Sequence, residues 1–161
     1  MMPGGFMRAA EIVETLPTAR LDDEALAAVR MLCEQRLPGL IVADEQGRVV
    51  GCLSSVDLLK LALPRYTLGE PLLARVIDEA HADRIAELLS RKPVRDLLEE
   101  AGHGIPVARP EATLVELVEM MTRHGCPLIL VEQVDEGGSL GVITANRLLE
   151  KLAAAISEAS P

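Results

Sequence analysis

The feature that most constrains this fold is an internal repeat, because two similar segments of one chain should form the same supersecondary unit twice. The first copy starts at Leu16 and the second at Ile105, 89 residues further along. Alanine, arginine, valine, methionine and proline positions match in order at that offset. One extra residue in a turn of the second copy then brings Gly51 into register with Gly141. The ordered matches indicate a duplicated unit.

Each copy predicts the element order β-α-β-β-α. Apolar residues at helical spacing follow a short first segment, and an apolar run at 40–42 or 128–131 then predicts a buried strand. Turns with Asp and Gly, at 44–47 and 135–138, predict tight hairpins into a second strand. A final helix follows. The predicted fold class is therefore mixed α/β, and the two copies are expected to form two sheets of the same pattern.

The chain divides into two repeats and a connection. We predict a first repeat at 7–63, a helical linker at 64–92 and a second repeat at 93–154. A short leading helix precedes each copy, at 9–14 and at 94–100. With 49% hydrophobic residues and 25% charged residues, the composition is that of a globular protein that can bury a core.

Charge and composition exclude one class of partner. The net charge of −9 repels phosphate backbones, so general nucleic-acid binding is not expected. The aromatic residues are Phe6 and Tyr66, with no Trp, which leaves almost nothing for base stacking. We find no apolar run long enough to cross a membrane and no basic-apolar leader, and we predict a cytoplasmic protein.

Residues that often serve catalysis or metal binding occur here without a supporting pattern. Three widely spaced cysteines, Cys33, Cys52 and Cys126, give no disulfide framework and are predicted to be small buried side chains in a reducing compartment. The histidines show no zinc spacing, and His103 is predicted to be a loop residue, either on the surface or at the rim of a cleft. The acidic stretch 78–83 is predicted to be a solvated helix face. No nucleophile elbow or phosphate loop is present, so we predict neither an enzyme nor a metal site.

Two stretches resemble a known family. They are PGLIVADEQGRVVGCLSSVDLLK from Pro38 and CPLILVEQVDEGGSLGVITANRLLE from Cys126. Together they resemble a tandem cystathionine-β-synthase (CBS) domain pair, also called a Bateman module. The resemblance implies two repeats packed around a pseudo-twofold axis with two clefts between them. It also implies no required cofactor, but a regulatory adenosine-containing ligand: AMP, ADP, ATP or S-adenosylmethionine.

The resemblance also implies where such a ligand binds. The family's ligand motif has a glycine, a hydroxyl residue and, three residues further, an aspartate that accepts hydrogen bonds from the ribose. Ser54 and Asp57 complete this motif in the first copy. In the second copy Thr144 keeps the hydroxyl, but Arg147 replaces the aspartate. We therefore expect an altered or inactive second ribose site, or else an arginine that contacts a ligand phosphate or pairs with an acidic neighbour.

The same residues also have ordinary structural interpretations. Ser54 and Thr144 are good helix N-caps in any protein, and Asp57 complements the dipole of the first helical turn.

Further candidate ligand contacts are Leu16, Thr18, Pro38 and Leu40 in the first copy, and Ile105 and Ile129 in the second. Arg20 and Arg109, at matching positions, are candidates for phosphate contact or exposed surface residues.

The leading functional hypothesis is a regulatory module that senses an adenosyl ligand and signals to a partner protein in trans, such as a transporter, channel, kinase or metabolic enzyme. The alternative is a ligand-free module that mediates protein–protein interaction. A homodimer through the helices predicted at 22–35 and 114–123 is expected under both hypotheses.

Overall fold

A computed structural model describes residues 7–61, 91–132 and 141–159. Its strands and helices divide into two compact units. The first-repeat unit (residues 18–104) contains β1 (Thr18–Arg20), α2 (Ala25–Glu34), β2 (Gly39–Ala43), β3 (Val49–Ser54), α3 (Ser55–Leu61) and α4 (Val94–Ala101). The second-repeat unit (residues 1–17 and 105–161) contains α1 (Ala9–Ile12), β4 (Val107–Ala108), α5 (Leu114–His124), β5 (Leu128–Val131), β6 (Gly141–Thr144) and α6 (Ala145–Ala159).

The first-repeat unit is built on a three-stranded sheet in the order β1-β2-β3. The central strand β2 pairs parallel with β1 and antiparallel with β3, and all five of its residues are buried. A strand buried on both faces needs an unbroken apolar run, and the sequence GLIVA supplies one. The β2–β3 turn is closed by Asp44, whose carboxylate accepts hydrogen bonds from the backbone N–H groups of Gln46 and Arg48.

The second-repeat unit repeats this sheet in the order β4-β5-β6, again with one parallel and one antiparallel pair. Its core gathers apolar side chains from the sheet and from three helices. The helix α5 begins at Thr113, whose hydroxyl and backbone exchange hydrogen bonds with Glu116 in a capping box. It ends at Gly125, which has the left-handed conformation that glycine tolerates best.

Each leading helix packs on the sheet of the other repeat. The helix α1, which precedes the first copy, buries Ala9 and Ile12 in the core of the second-repeat unit. The helix α4, which precedes the second copy, packs against β3 and α3 of the first-repeat unit. The residues that follow these helices extend the sheets: Glu14 exchanges backbone hydrogen bonds with Val142, and His103 with Cys52.

The predicted α/β class and the β-α-β-β-α order of each copy are confirmed. The prediction of buried cysteines is confirmed for Cys52 and Cys126 but is wrong for Cys33, which is exposed on α2. Of the predicted helical linker 64–92, residues 64–90 lie outside the described residues, as do the acidic stretch 78–83 within it and the turn 135–138. Within the described part of the chain, no helix combines the length and apolarity needed to cross a membrane.

Candidate functional site

Ser54 and Asp57 form a reciprocal cap at the start of α3. The Ser54 backbone N–H donates to Asp57 Oδ2 at 2.8 Å, and the Asp57 N–H donates to Ser54 Oγ at 3.2 Å. This is the capping-box arrangement, in which two backbone donors at a helix start are satisfied by side chains. The ordinary capping role predicted for Ser54 is therefore present, and it fixes the position of the Asp57 carboxylate.

The Asp57 carboxylate has a second partner, His103. The His103 Nε2 lies 2.7 Å from Asp57 Oδ2, and the Asp57 side chain is only 13% exposed. Partial burial by itself raises the pKa of Asp57, but the hydrogen bonds from Ser54 and His103, together with the imidazole charge, outweigh it. The net pKa of Asp57 lies below its ordinary value, so the site holds an ionised carboxylate at neutral pH.

Glycine allows the His103 segment to lie this close to β3. A Cβ at Gly51 would lie 3.0 Å from the His103 carbonyl oxygen and 3.0 Å from Leu98 Cδ1, both tighter than normal contact. The absence of a side chain there lets Cys52 and His103 form their two backbone hydrogen bonds, of 2.8 and 3.1 Å. The glycine of the motif is thus needed for backbone approach beside the carboxylate.

In the second-repeat unit the corresponding arginine is used structurally. Thr144 caps α6 through its hydroxyl, which accepts from the Arg147 N–H at 3.1 Å. The Arg147 Nε donates to the Ile12 carbonyl at 3.1 Å and lies 4.0 Å from Glu14 Oε1, while Nη1 lies 3.6 Å from Glu150. Of the roles considered for Arg147, pairing with an acidic neighbour is therefore observed.

The two units hold equivalent acid–base contacts in which the positions of the acid and the base are exchanged. In the first-repeat unit an acid on α3, Asp57, meets a base after the leading helix, His103. In the second-repeat unit a base on α6, Arg147, meets an acid after the leading helix, Glu14. In each unit the contact joins the helix that directly follows the third strand to the segment that is bridged to that strand. Only the first-repeat unit presents a carboxylate at this position, and a carboxylate is the group that accepts from ribose hydroxyls.

The other predicted ligand contacts separate by accessibility. Leu40 and Ile129 are completely buried in β2 and β5, so their side chains offer no surface in this conformation. Thr18 is exposed on β1. Half-buried positions in the two units complete the set: Pro38 in the first-repeat unit, and Leu16 and Ile105 in the second-repeat unit.

The two arginines considered for phosphate contact are both exposed. Arg109 lines a cavity of about 430 Å³ in the second-repeat unit together with Glu111 and Glu116. Two carboxylates that line the same cavity oppose the binding of a phosphate at Arg109. Arg20 donates its backbone N–H to Asp23 at 2.9 Å, and no phosphate-binding arrangement of its side chain is apparent in the described residues.

Comparison with known proteins agrees with this architecture. The CBS domain family model matches residues 85–154. A CBS domain-containing protein of unknown function from Kribbella flavida is 37% identical, with a TM-score of 0.67 over 91% of this chain and 99% of that one.

Two solved structures of lower identity share the fold. CBSX2, in complex with AMP, is 21% identical, with a TM-score of 0.61 over 93% of this chain and 98% of that one. The CBS domain of a bacterial CNNM/CorC-family Mg²⁺ transporter, in complex with ATP, is 16% identical, with a TM-score of 0.64 over 93% and 89%. From the repeated architecture and the 37% identity over nearly its full length, this chain belongs to the CBS-domain family.

Proposed function

We propose that this CBS protein is a regulatory module that binds an adenosine-containing ligand (AMP, ADP, ATP or S-adenosylmethionine) through Asp57 and Ser54. The proposal assigns the ribose hydroxyls to the Asp57 carboxylate. Ligand binding then favours one conformation over another, and a partner protein responds to that change. The partner acts in trans and is a transporter, channel, kinase or metabolic enzyme.

The observation that supports this most is the state of the Asp57 carboxylate. It is ionised, held in place and still partly exposed. Its two short hydrogen bonds, from Ser54 and His103, both end on Oδ2. Acceptor capacity therefore remains on Oδ1, since each carboxylate oxygen takes about two hydrogen bonds. The AMP and ATP complexes of CBSX2 and of the transporter domain lend support from the same fold.

The proposal is tested by replacing Asp57 with asparagine. We expect the Kd for AMP, ATP or S-adenosylmethionine, measured by isothermal titration calorimetry, to rise about tenfold or more, because hydrogen bonds to a charged acceptor contribute roughly 1.5–3 kcal/mol. Arg147→Ala is expected to change the Kd by less than about twofold, because Arg147 is occupied by Ile12 and Glu14.

A matched control separates binding from helix capping. Glu116→Gln weakens the equivalent capping box on α5, which involves Thr113 and not Asp57. This control should bind ligand as the wild-type protein does. Equal affinity of Asp57→Asn and wild type for every ligand that binds would show that the ribose assignment is wrong. No binding of any of these ligands to the wild-type protein would contradict the ligand-sensing function itself.

One observation supports the homodimer that is expected under both functional hypotheses. Val115 on α5, a helix of the predicted dimer contact, is 76% exposed, the largest exposure among the large hydrophobic side chains of the described residues. An exposed apolar side chain on a helix is suited to burial against another chain. We therefore propose a homodimer through α5, which is compatible with ligand binding.

Val115→Glu is expected to shift the protein from dimer to monomer, because it places a charge in an apolar contact. Size-exclusion chromatography with light scattering measures the mass directly. Leu149→Glu is the control, since Leu149 is 63% exposed on α6, which is not part of the predicted contact. A wild-type monomer, or a Val115→Glu dimer of unchanged stability, would contradict dimerisation through α5.

A further inference from the structure

His103 contacts the proposed ribose-binding carboxylate, although the sequence assigned it no role. We propose that His103 is a positioning residue for Asp57 and that protonation of its imidazole weakens the binding of the ribose. The proposal rests on the proposed function, since it concerns the regulation of that same site. It makes ligand affinity dependent on the protonation state of His103, and so on pH.

The His103 ring is held in place through its own backbone. Its N–H and C=O form the two hydrogen bonds with Cys52 on β3, at 3.1 and 2.8 Å. The preceding residue, Gly102, donates its N–H to the Leu98 carbonyl at the end of α4. The backbone at His103 is therefore bonded to β3, and the residue before it is bonded to α4. From this fixed backbone the imidazole places Nε2 beside Asp57.

The partners of the ring determine where its protons lie. An ionised carboxylate only accepts hydrogen bonds, so His103 Nε2 carries a proton and donates to Asp57 Oδ2. On the other side, Nδ1 lies 3.7 Å from Cys52 Sγ and 3.4 Å from the Gly104 carbonyl oxygen. A neutral ring accepts at Nδ1 from the thiol, and a protonated ring donates from Nδ1 to the carbonyl. The ring can therefore change its charge without moving.

The charge of His103 alters what Asp57 offers to a ligand. A neutral His103 leaves the carboxylate its full negative charge, so ribose hydroxyls that donate to Oδ1 form charge-assisted hydrogen bonds. A protonated His103 compensates that charge at 2.7 Å and competes for the carboxylate. Ribose binding therefore prefers the neutral ring. Because the coupling between ribose binding and protonation is reciprocal, bound ligand opposes protonation of His103 by the same factor.

Titratable side chains of the first-repeat unit that contact the ring include Asp57 on α3 and Cys52 on β3. The backbone carbonyl of Gly104, which also lies beside the ring, does not titrate. Asp57 stays ionised between neutral and mildly acidic pH, because its pKa is lowered rather than raised. A change in ligand affinity over this range is therefore not expected from protonation of Asp57.

The test measures the affinity for adenosine as a function of pH. Adenosine is the probe because it contains the ribose but no phosphate, so its own charge does not change over this range. We expect its Kd, from calorimetry, to rise about fivefold between about pH 8 and about pH 5.5 in the wild-type protein. His103→Gln keeps an N–H donor for Asp57 but does not titrate, so its Kd should match wild type at the higher pH and stay constant.

A second histidine provides the matched control. His124 lies exposed at the end of α5, in the second-repeat unit, so His124→Gln should keep the wild-type pH dependence. A flat profile in the wild-type protein would overturn the proposal while leaving ligand binding intact. An identical slope in His103→Gln would overturn it as well, because the titrating group would then be another residue.

A ligand-free measurement distinguishes this proposal from the proposed function. Titration of the His103 ring by NMR should move to lower pH in Asp57→Asn, because the neighbouring negative charge is lost. A titration that is unaffected by Asp57→Asn would overturn the positioning contact, even in a protein that binds adenosine. Failure of the wild-type protein to bind adenosine or any of the proposed ligands would instead overturn the proposed function, and with it the effect on ribose binding.

Discussion

Replacing Ile12 with alanine is expected to lower the free energy of unfolding by about 3 kcal/mol, because truncating a completely buried isoleucine removes apolar contact and leaves a cavity. The location of the effect is as informative as its size. Ile12 precedes the first copy but is buried in the core of the second-repeat unit. Its loss should therefore also weaken the backbone hydrogen bonds between Glu14 and Val142.

Urea unfolding measures the change in the free energy of unfolding. Hydrogen exchange at the Val142 amide measures the weakening of its backbone hydrogen bond to Glu14. Ile156→Ala is the matched control, because it removes the same atoms from a residue of the same unit that is 67% exposed. It should cost less than about 0.5 kcal/mol. Equal costs for the two variants, or an unchanged exchange rate at Val142, would mean that α1 does not stabilise this core.

The helix α1 could be predicted from the sequence, but the surface that it packs on could not. The sequence predicts a short leading helix at 9–14, and the structure forms one over Ala9–Ile12. Periodicity gives the buried face but not the surface that covers it. The element order within each copy was predictable because strand runs and turns are local signals. The packing of α1 and α4 on the other repeat's sheet depends on contacts far apart in the sequence, and a local pattern does not contain them.

The candidate site was predictable to a similar extent. Ser54 and Asp57 are identified through the resemblance to the ligand motif of CBS domains, and the cap they form is the local part of the site. His103 lies 46 residues from Asp57 and belongs to no motif, so only the backbone bridge to Cys52 brings it near. Arg147 had several possible partners on chemical grounds, and the fold of α1 selects Ile12 and Glu14.

The two glycines that flank His103 are visible in the sequence, but the sequence alone does not show which of them the fold requires. Gly102 and Gly104 look equivalent in the sequence, but their surroundings differ. A Cβ at Gly102 would lie 2.6 Å from the Leu98 carbonyl oxygen and 2.3 Å from Leu98 Cδ1, whereas a Cβ at Gly104 would have nothing within 4 Å. The backbone oxygen cannot move aside as a side-chain end can, so only Gly102 requires glycine.

Gly102→Ala is therefore expected to destabilise the protein by about 2 kcal/mol, the cost of forcing extra volume into a packed position. The displaced segment carries His103, so the contact with Asp57 should be lost and adenosine affinity should fall several-fold. Thermal unfolding and calorimetry measure the two effects. Gly104→Ala should leave both within error of wild type, because its new methyl group has open space. If the two variants behaved alike, the close packing of α4 against Gly102 would not be what holds His103 beside the carboxylate.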